Sequence, residues 1–281
     1  MIVHLVDGTY ELFRHFYGLR RFAKPGEDPP FGAVLGVLNT VLEMLETGAT
    51  HVGVATDHVI ESFRNALWDG YKTGDGIEPA LHAQFHPLED ALRAMGVAVW
   101  PMVDLEADDG LASAAHLAAA DARVQKVCIW TPDKDLAQCV VDDRVVQVDR
   151  KSGKVRDADG VREKFGVAPA LIADYLALVG DAADGYPGIA GIGAKTAAAM
   201  LNRLGPIESF PPAALGGQQE RALLFKTLAT LRTDAPLFDD VESLRWRGPT
   251  PSFAECAARL GSEKVAVRAT AAAAAAAQRS A

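Results

Sequence analysis

Ile2-Val3-His4-Leu5-Val6-Asp7 is a short apolar run that ends on a carboxylate, and the same design recurs along the chain. Residues 51–56 lead to Asp57, residues 97–100 to Glu106, Asp108 and Asp109, and residues 126–130 to Asp133 and Asp135. Runs of this length between turn residues read as strands. Between the first two, Val34, Leu35, Leu38, Val41, Leu42 and Leu45 fall at helical spacing, and Thr47-Gly48 supplies a stop. A second amphipathic stretch spans residues 87–95. Strands alternating with helices predict an α/β fold with a mostly parallel central sheet. The crevice of such a sheet lies at the carboxyl ends of its strands, so the acids are expected to gather on one edge.

The chain has 281 residues, 49% of them hydrophobic, enough for one large α/β domain with an appendage. No apolar run approaches the roughly 20 residues needed to span a bilayer, and the first residues open a strand rather than a basic, cleavable leader. A cytoplasmic protein with no membrane contact is expected. Cys128, Cys139 and Cys256 have neither paired spacing nor an even count, so neither a disulfide framework nor a zinc site is predicted. The net charge of -9, taken alone, argues against a nucleic-acid surface. Convergence of the acids on cations would offset much of that charge locally and leave basic patches elsewhere.

A single Asp after a strand is usually a turn former or helix cap. Recurrence changes the reading, because successive strand ends each deliver an acid and Glu106-Ala107-Asp108-Asp109 sets three carboxylates within one helical turn. Asp181 and Asp184 in GDAADG add two more from the region beyond residue 149, which changes to charged turns and helices near 169–179 and 196–204. So many carboxylates in one cleft repel each other unless cations compensate, and hard oxygen ligands suit Mg2+ or Mn2+. Two ions about 4 Å apart would activate water and stabilise a phosphoryl transition state without a Ser, Cys or His nucleophile.

Pro187-Gly188-Ile189-Ala190-Gly191-Ile192-Gly193-Ala194-Lys195-Thr196 reads as a phosphate-binding hairpin. Its glycines permit tight turns and close backbone approach before a helix start, where Gly191, Gly193, Lys195 and Thr196 would meet a DNA phosphate without reading bases. The alternative is a plain glycine-rich helix connection. No G-x-x-x-x-G-K-[ST] loop is present, so nucleotide hydrolysis is not indicated. Residues 73–85 break the αβ rhythm and read as a mobile insertion. Just before it, Phe63-Arg64 and Tyr71-Lys72 pair cations with rings. Arg64 is a candidate DNA contact, Tyr71 would stack on a base, Lys72 would neutralise the scissile phosphate, and Arg14 is a candidate phosphate contact. His82 and His86 read more readily as solvated polar residues than as a metal pair.

Taken together, LVDGTYELFR, ATD, SFRNALWDGYK, LEADD, TPDKDLAQ, GDAADGYPGIAGIGAKTA and TLRTDAPL resemble the bacterial 5'-3' exonuclease and flap endonuclease family, over nearly all of residues 1–268. The resemblance implies a PIN-like nuclease domain over residues 1–160, with a helical arch. It further implies a helix-three-turn-helix DNA-binding domain over residues 161–268 and leaves residues 269–281, with their alanine run, as a frayed or disordered tail. It implies that Asp7, Asp57, Glu106, Asp108, Asp109 and Asp133 surround one metal, and that Asp135, Asp181 and Asp184 hold the other, bridged through Asp133. Lys72, Asp109 and Asp133 are then the expected catalytic residues, and K+ would sit against the carbonyls of Gly188, Ile189 and Ile192. The implied substrate is flap, branched or nicked DNA, handled by a monomeric, free-standing nuclease with a DNA polymerase or ligase as partner. Two departures stand out: Asp75 occupies the place of an arch arginine, and Asp184 is followed by Gly185 where the family has asparagine. Three rivals are weaker. A non-catalytic junction binder would not need acids at both sites, a PIN-type ribonuclease would not need the hairpin, and a haloacid-dehalogenase-like phosphatase needs an Asp where Leu5 stands.

Overall fold

The computed structural model describes residues 1–20 and 29–280. Six strands form one sheet: β1 (Ile2–Asp7), β2 (His51–Asp57), β3 (Ala98–Met102), β4 (Lys126–Trp130), β5 (Val145–Val148) and β6 (Val155–Arg156). Their order is β3-β2-β1-β4-β5-β6, parallel throughout except that β6 runs antiparallel to β5. The expected α/β class and the mostly parallel sheet are present. The pair β5 and β6 was not anticipated, because each is too short to carry a pattern.

Helices α1 (Gly8–Arg20), α2 (Gly32–Glu46) and α4 (Phe85–Ala94) form one apolar core with Val6, Val52 and Val54 of the sheet. Of the apolar stripe of α2, Val34, Leu38, Val41, Leu42 and Leu45 are buried and Leu35 is partly so. Helix α5 (Ala107–Ala120) packs against β1 to β4, and its small residues let it lie close to the strands. A one-turn helix α3 (Pro79–His82) precedes α4. Helices α6 (Ala158–Phe165), α7 (Ile172–Val179), α8 (Ala194–Leu204) and α9 (Gln219–Ala229) build a separate core around Phe225, Leu176 and Ile172.

The insertion is only partly loose. Leu81 and Phe85 belong to the first core, and the Gln84 side-chain oxygen accepts the otherwise free N–H groups of Ala33 and Val34 at the start of α2. Before α4 the insertion contains a single helical turn, α3.

The end of the chain departs from expectation. Residues 231–272 do not continue the second helical core but return to the first domain. Leu231, Ala235, Val241 and Leu244 pack with the α5 core, while the Trp246 backbone N–H donates to Thr50 O at 2.8 Å and its indole N–H to Met95 O at 2.8 Å. Helix α10 (Phe253–Arg259) lies on α4, and α11 (Glu263–Ser280) lies on α2. The residues expected to be a frayed or disordered tail therefore form a regular helix as far as Ser280; Ala281 lies outside the described residues. Val265, Ala269 and Ala272 are buried, and Arg268 pairs with Glu46 at 2.8 Å. Alanine has the highest helix propensity, and three small residues on one face are enough to seat the helix on α2. No helix among the described residues is long and apolar enough to cross a membrane.

Candidate active site

Each acid enters the cleft from an element that the sheet has already placed. Asp7 ends β1 and caps α1: its Oδ1 accepts the Tyr10 N–H at 2.8 Å, and its Oδ2 accepts the Thr131 hydroxyl at 3.0 Å. Asp57 ends β2 and accepts the Ala107 N–H at 2.8 Å, at the positive end of the α5 dipole. Asp108 lies in the first turn of α5. Asp133 and Asp135 follow β4, joined by a 3.0 Å bond from the Asp135 N–H to Asp133 Oδ1. Asp181 and Asp184 sit on the turn after α7, which is closed by reciprocal backbone bonds between Asp181 and Tyr186.

Two sets of carboxylates bring oxygens within 4.8 Å of one another: Asp108, Asp133 and Asp135 in one, Asp135, Asp181 and Asp184 in the other. The residue shared by both is Asp135, while Asp133, the expected bridge, belongs to the first set. Asp135 opens a 3-10 turn packed between α5 and α7, so its carboxyl group faces both the β4 acids and the α7 turn, whereas Asp133 is exposed at the cleft mouth. Asp7, Asp57 and Glu106 join neither set but line the same cleft of about 410 Å³ with Lys72, Asp108, Asp133 and Asp184. One Asp135 oxygen, Oδ1, is buried with no hydrogen-bond partner among the described residues. A buried carboxylate oxygen without a donor is costly, and a cation relieves that cost. With only oxygen donors in both sets, the residues fit hard divalent ions better than thiophilic ones.

The electrostatics agree with this geometry. Burial pushes the Asp7 carboxyl up to about 7, with Asp57 and Asp133 adding repulsion. Burial raises Asp108 well above the usual carboxylate range, reinforced by Asp133 and Asp7, and raises Asp135 likewise, reinforced by Asp133 and Asp184. Burial also disfavours charge on Glu106, but Lys72 and Arg64 outweigh it and hold this carboxyl below its ordinary value. The sign of the linkage is set by the raised group. Between about pH 4 and about pH 7 the folded chain retains a proton on Asp7 that the unfolded chain has released, so metal-free stability declines as pH rises through that window. The melting temperature of EDTA-treated protein is expected to drop from pH 5 to pH 8, and the stabilisation added by Mg2+ to grow over the same range. A rising melting temperature without metal, or a pH-independent Mg2+ increment, would refute this.

Lys72 Nζ lies 2.7 Å from Glu106 Oε2 and 3.0 Å from Asp184 Oδ1, with about a third of the side chain exposed. Burial works against its charge, but Glu106 and Asp184 overcome this and raise it well above the ordinary lysine value. The loop carrying Lys72 meets the α7 turn through the Lys72 N–H to Asp184 O bond at 3.0 Å. Gly185 explains the departure from the family asparagine: its φ is +84°, and a Cβ there would fall 1.9 Å from the Gly70 carbonyl oxygen. Only glycine lets the two loops approach this closely. Lys134, overlooked in the sequence although it separates Asp133 from Asp135, reaches Asp181 Oδ2 at 2.7 Å.

Three expected site residues have other roles. Asp109 was placed among the catalytic metal ligands, but it is fully buried behind the cleft. Its two oxygens take a bidentate pair from Arg64 at 2.7 Å each, and they also accept the Glu106 and Arg232 N–H groups at 3.0 and 2.8 Å. Arg64 was placed on DNA, yet it is 1% exposed and also donates to Leu228 O at 2.8 Å and Thr230 O at 3.2 Å. Tyr71 was given a base to stack on, yet it is 4% exposed in the second core, with its hydroxyl 3.3 Å from Glu106 Oε2. Glu106, the cap of α5, lines the cleft, while Asp109 closes the capping box behind it through the Glu106 N–H, and both carboxylates share the Arg64 guanidinium.

Arg14 is partly exposed but held by Glu11 through its guanidinium. Gly191, Gly193, Lys195 and Thr196 are exposed together at the start of α8, whose cap residue Gly193 supplies no side-chain acceptor. Asp75 is exposed, its N–H bonded to the Thr73 hydroxyl at 3.3 Å. His86 stacks on His58 at 4.2 Å between centroids, while His82 lies against Phe85 at 5.3 Å.

Comparison with known proteins gives the same picture. Residues 2–166 match the 5'-3' exonuclease N-terminal resolvase-like domain, and residues 167–252 match the 5'-3' exonuclease C-terminal SAM fold. DNA polymerase I of Pseudomonas aeruginosa is 36% identical over 260 residues, covering 85% of this chain and 28% of that protein. The 5'-3' exonuclease of Buchnera aphidicola subsp. Schizaphis graminum is 28% identical over 254 residues, covering 83% of this chain and 87% of that protein. The chain thus spans little more than a quarter of the polymerase relative. Among solved structures, T5 5'-exonuclease with bound zinc superposes with a TM-score of 0.65 at 18% identity, covering 96% of this chain and 97% of that one. The catalytic core of Rad2 in complex with DNA substrate gives 0.56 at 15% identity, covering 96% and 91%. At these identities the likeness is one of fold. With matches that run from the first strand past the α8 hairpin, the chain belongs to the 5'-3' exonuclease family.

Proposed function

We propose that the chain hydrolyses DNA phosphodiester bonds near single-strand to double-strand junctions, releasing 5' nucleotides or short flaps. The observation that carries this reading is the pair of carboxylate sets meeting at Asp135, with its unpartnered buried oxygen, beside Lys72. Asp108, Asp133 and Asp135 would hold one Mg2+ or Mn2+, and Asp135, Asp181 and Asp184 a second, with Asp7, Asp57 and Glu106 ringing the first. The chemistry supplied by such a pair of ions is a more acidic attacking water and neutralisation of charge on the phosphoryl and leaving oxygens. Lys72 exchanges its Glu106 and Asp184 contacts for the scissile phosphate, adding a fixed positive charge where negative charge develops. Before substrate enters, Glu106, held ionised beside Arg64, keeps Lys72 aimed into the cleft.

Duplex DNA is held away from the cleft by the start of α8. The exposed N–H groups after Gly191 and Gly193, with Lys195 and Thr196, take a backbone phosphate, so binding is independent of base sequence. K+ against the carbonyls of Gly188, Ile189 and Ile192, a monomeric state, and a DNA polymerase or ligase as working partner belong to the same reading. Asp75, exposed two residues beyond Thr73 of the cleft lining, adds an anion and weakens the grip on a 5' end.

The test is substrate choice. With Mg2+, a 5'-labelled flap DNA is expected to be cut near its junction, a fully matched duplex more slowly, and single-stranded RNA not at all. Preferential cleavage of the RNA would reassign the site to a ribonuclease, and cleavage indifferent to the junction would remove the structural specificity.

A further inference from the structure

Helix α5 covers one face of β1 to β4, whereas on the opposite face the core built by α1, α2 and α4 lies mainly on β1 to β3 and takes Trp130 of β4 only at its edge. On β4 the burial alternates: Val127 and Ile129 are sequestered under α5, whereas Lys126, Cys128 and Trp130 on the other face are only half-buried. A groove of about 1090 Å³ opens there, bordered by α1, the end of α2 and the turn at Arg150 and Lys151. That volume exceeds the range of roughly 300–1,000 Å³ usual for a small-molecule pocket, and the groove is open rather than enclosed. Tyr10 and Phe13 line both this groove and the carboxylate cleft, so the two lie side by side.

The lining pairs rings with cations. Trp130 donates its indole N–H to His4 Nδ1 at 3.1 Å, which fixes the ring in place. Burial holds His4 down to about 4, so it is a neutral ring at physiological pH. The Arg150 guanidinium lies 5.9 Å from the Trp130 ring centroid and is tethered to Glu43 at 2.6 Å, and Lys151 beside it is exposed. Half-exposed rings with interleaved cations are what a single-stranded nucleic acid requires, because every base has a face to stack and every phosphate a charge to meet. An apolar peptide would not make use of the two adjacent cations.

We propose that this groove holds the single-stranded DNA segment continuous with the strand in the carboxylate cleft, with a base stacked on Trp130 and phosphates against Arg150 and Lys151. The proposal rests on the nuclease reading for the identity of the strand, but its test does not depend on cleavage. EDTA-treated protein is titrated with an eight-residue oligothymidylate while tryptophan fluorescence is followed, for wild type, Trp130→Phe and the surface double variant Arg150→Gln/Lys151→Gln. Wild type is expected to be quenched, Trp130→Phe to lose most of the quench, and the double variant to bind with a log K against log salt slope smaller by about 1.4, the value for two phosphate contacts on a single strand. Should Trp130→Phe fold poorly, the salt slope of the double variant decides alone. Equal quenching in wild type and Trp130→Phe, no quenching at all, or an unchanged slope would overturn the proposal. Flap cleavage with Mg2+ but without Trp130-dependent quenching defeats the groove only; Trp130-dependent quenching without cleavage of any DNA defeats the nuclease reading only.

Discussion

Asp135→Asn is expected to reduce DNA hydrolysis by about a thousandfold or more, roughly 4 kcal/mol of transition-state stabilisation at 1.36 kcal/mol per decade. Asp135 is the one residue that belongs to both carboxylate sets, so its loss perturbs both candidate ion sites at once. The same substitution is expected to raise the melting temperature of the metal-free protein. Burial and the neighbouring Asp133 and Asp184 already oppose charge on Asp135, and a neutral amide of the same shape removes that repulsion. Junction DNA binding should be nearly unchanged, since the α8 hairpin is separate from the cluster. The combination is diagnostic: a residue kept for function at a cost in stability loses activity and gains stability when neutralised. Hydrolysis within tenfold of wild type, or a lower melting temperature without metal, would contradict the role given to Asp135.

Arg64→Met is expected to be the most destabilising single change at the rim of the site, by about 3–5 kcal/mol, the usual cost of leaving a buried ion pair half broken. Removal of the guanidinium leaves Asp109 with backbone donors but no counter-charge, takes one donor from Glu106 and frees the carbonyls of Leu228 and Thr230, which tie the end of α9 to the first domain. Adding Asp109→Asn should recover part of the loss, because the uncompensated charge is then gone. Denaturant midpoints measure both effects. An arginine that only contacted DNA phosphates would shift stability by less than about 0.5 kcal/mol. A midpoint unchanged by Arg64→Met, with DNA affinity strongly reduced, would restore the phosphate-contact reading.

How much was legible follows from the range of each signal. The sheet and its acidic edge were readable because both are local: a strand of apolar residues and the carboxylate at its end occupy adjacent positions, and parallel pairing brings successive ends together. The α8 hairpin was readable for the same reason. Arg64 and Tyr71 were misread because Phe63-Arg64 and Tyr71-Lys72 look like exposed cation and ring pairs, and the partner that buries Arg64 lies far along the chain at Asp109. Asp109 was misread because Glu106-Ala107-Asp108-Asp109 does not reveal which carboxylates face the cleft until α5 is docked. The membership of Asp135 in both carboxylate sets depends on α7 packing beside the 3-10 turn, a tertiary fact. The return of residues 231–272 to the first domain was hidden in part because the alanine run at 271–277 gives α11 no contrast between faces, although Val265, Ala269 and Ala272 are the ones buried.

The most direct measurement of the central claim is a Mn2+ titration of metal-stripped protein in which ion binding and cleavage of a 5'-labelled flap DNA are followed on the same sample. The account predicts two ions per chain, cleavage that appears only as both are taken up, and loss of both signals in Asp135→Asn. Cleavage that persists in EDTA, or a single bound ion that Asp135→Asn leaves undisturbed, would contradict it.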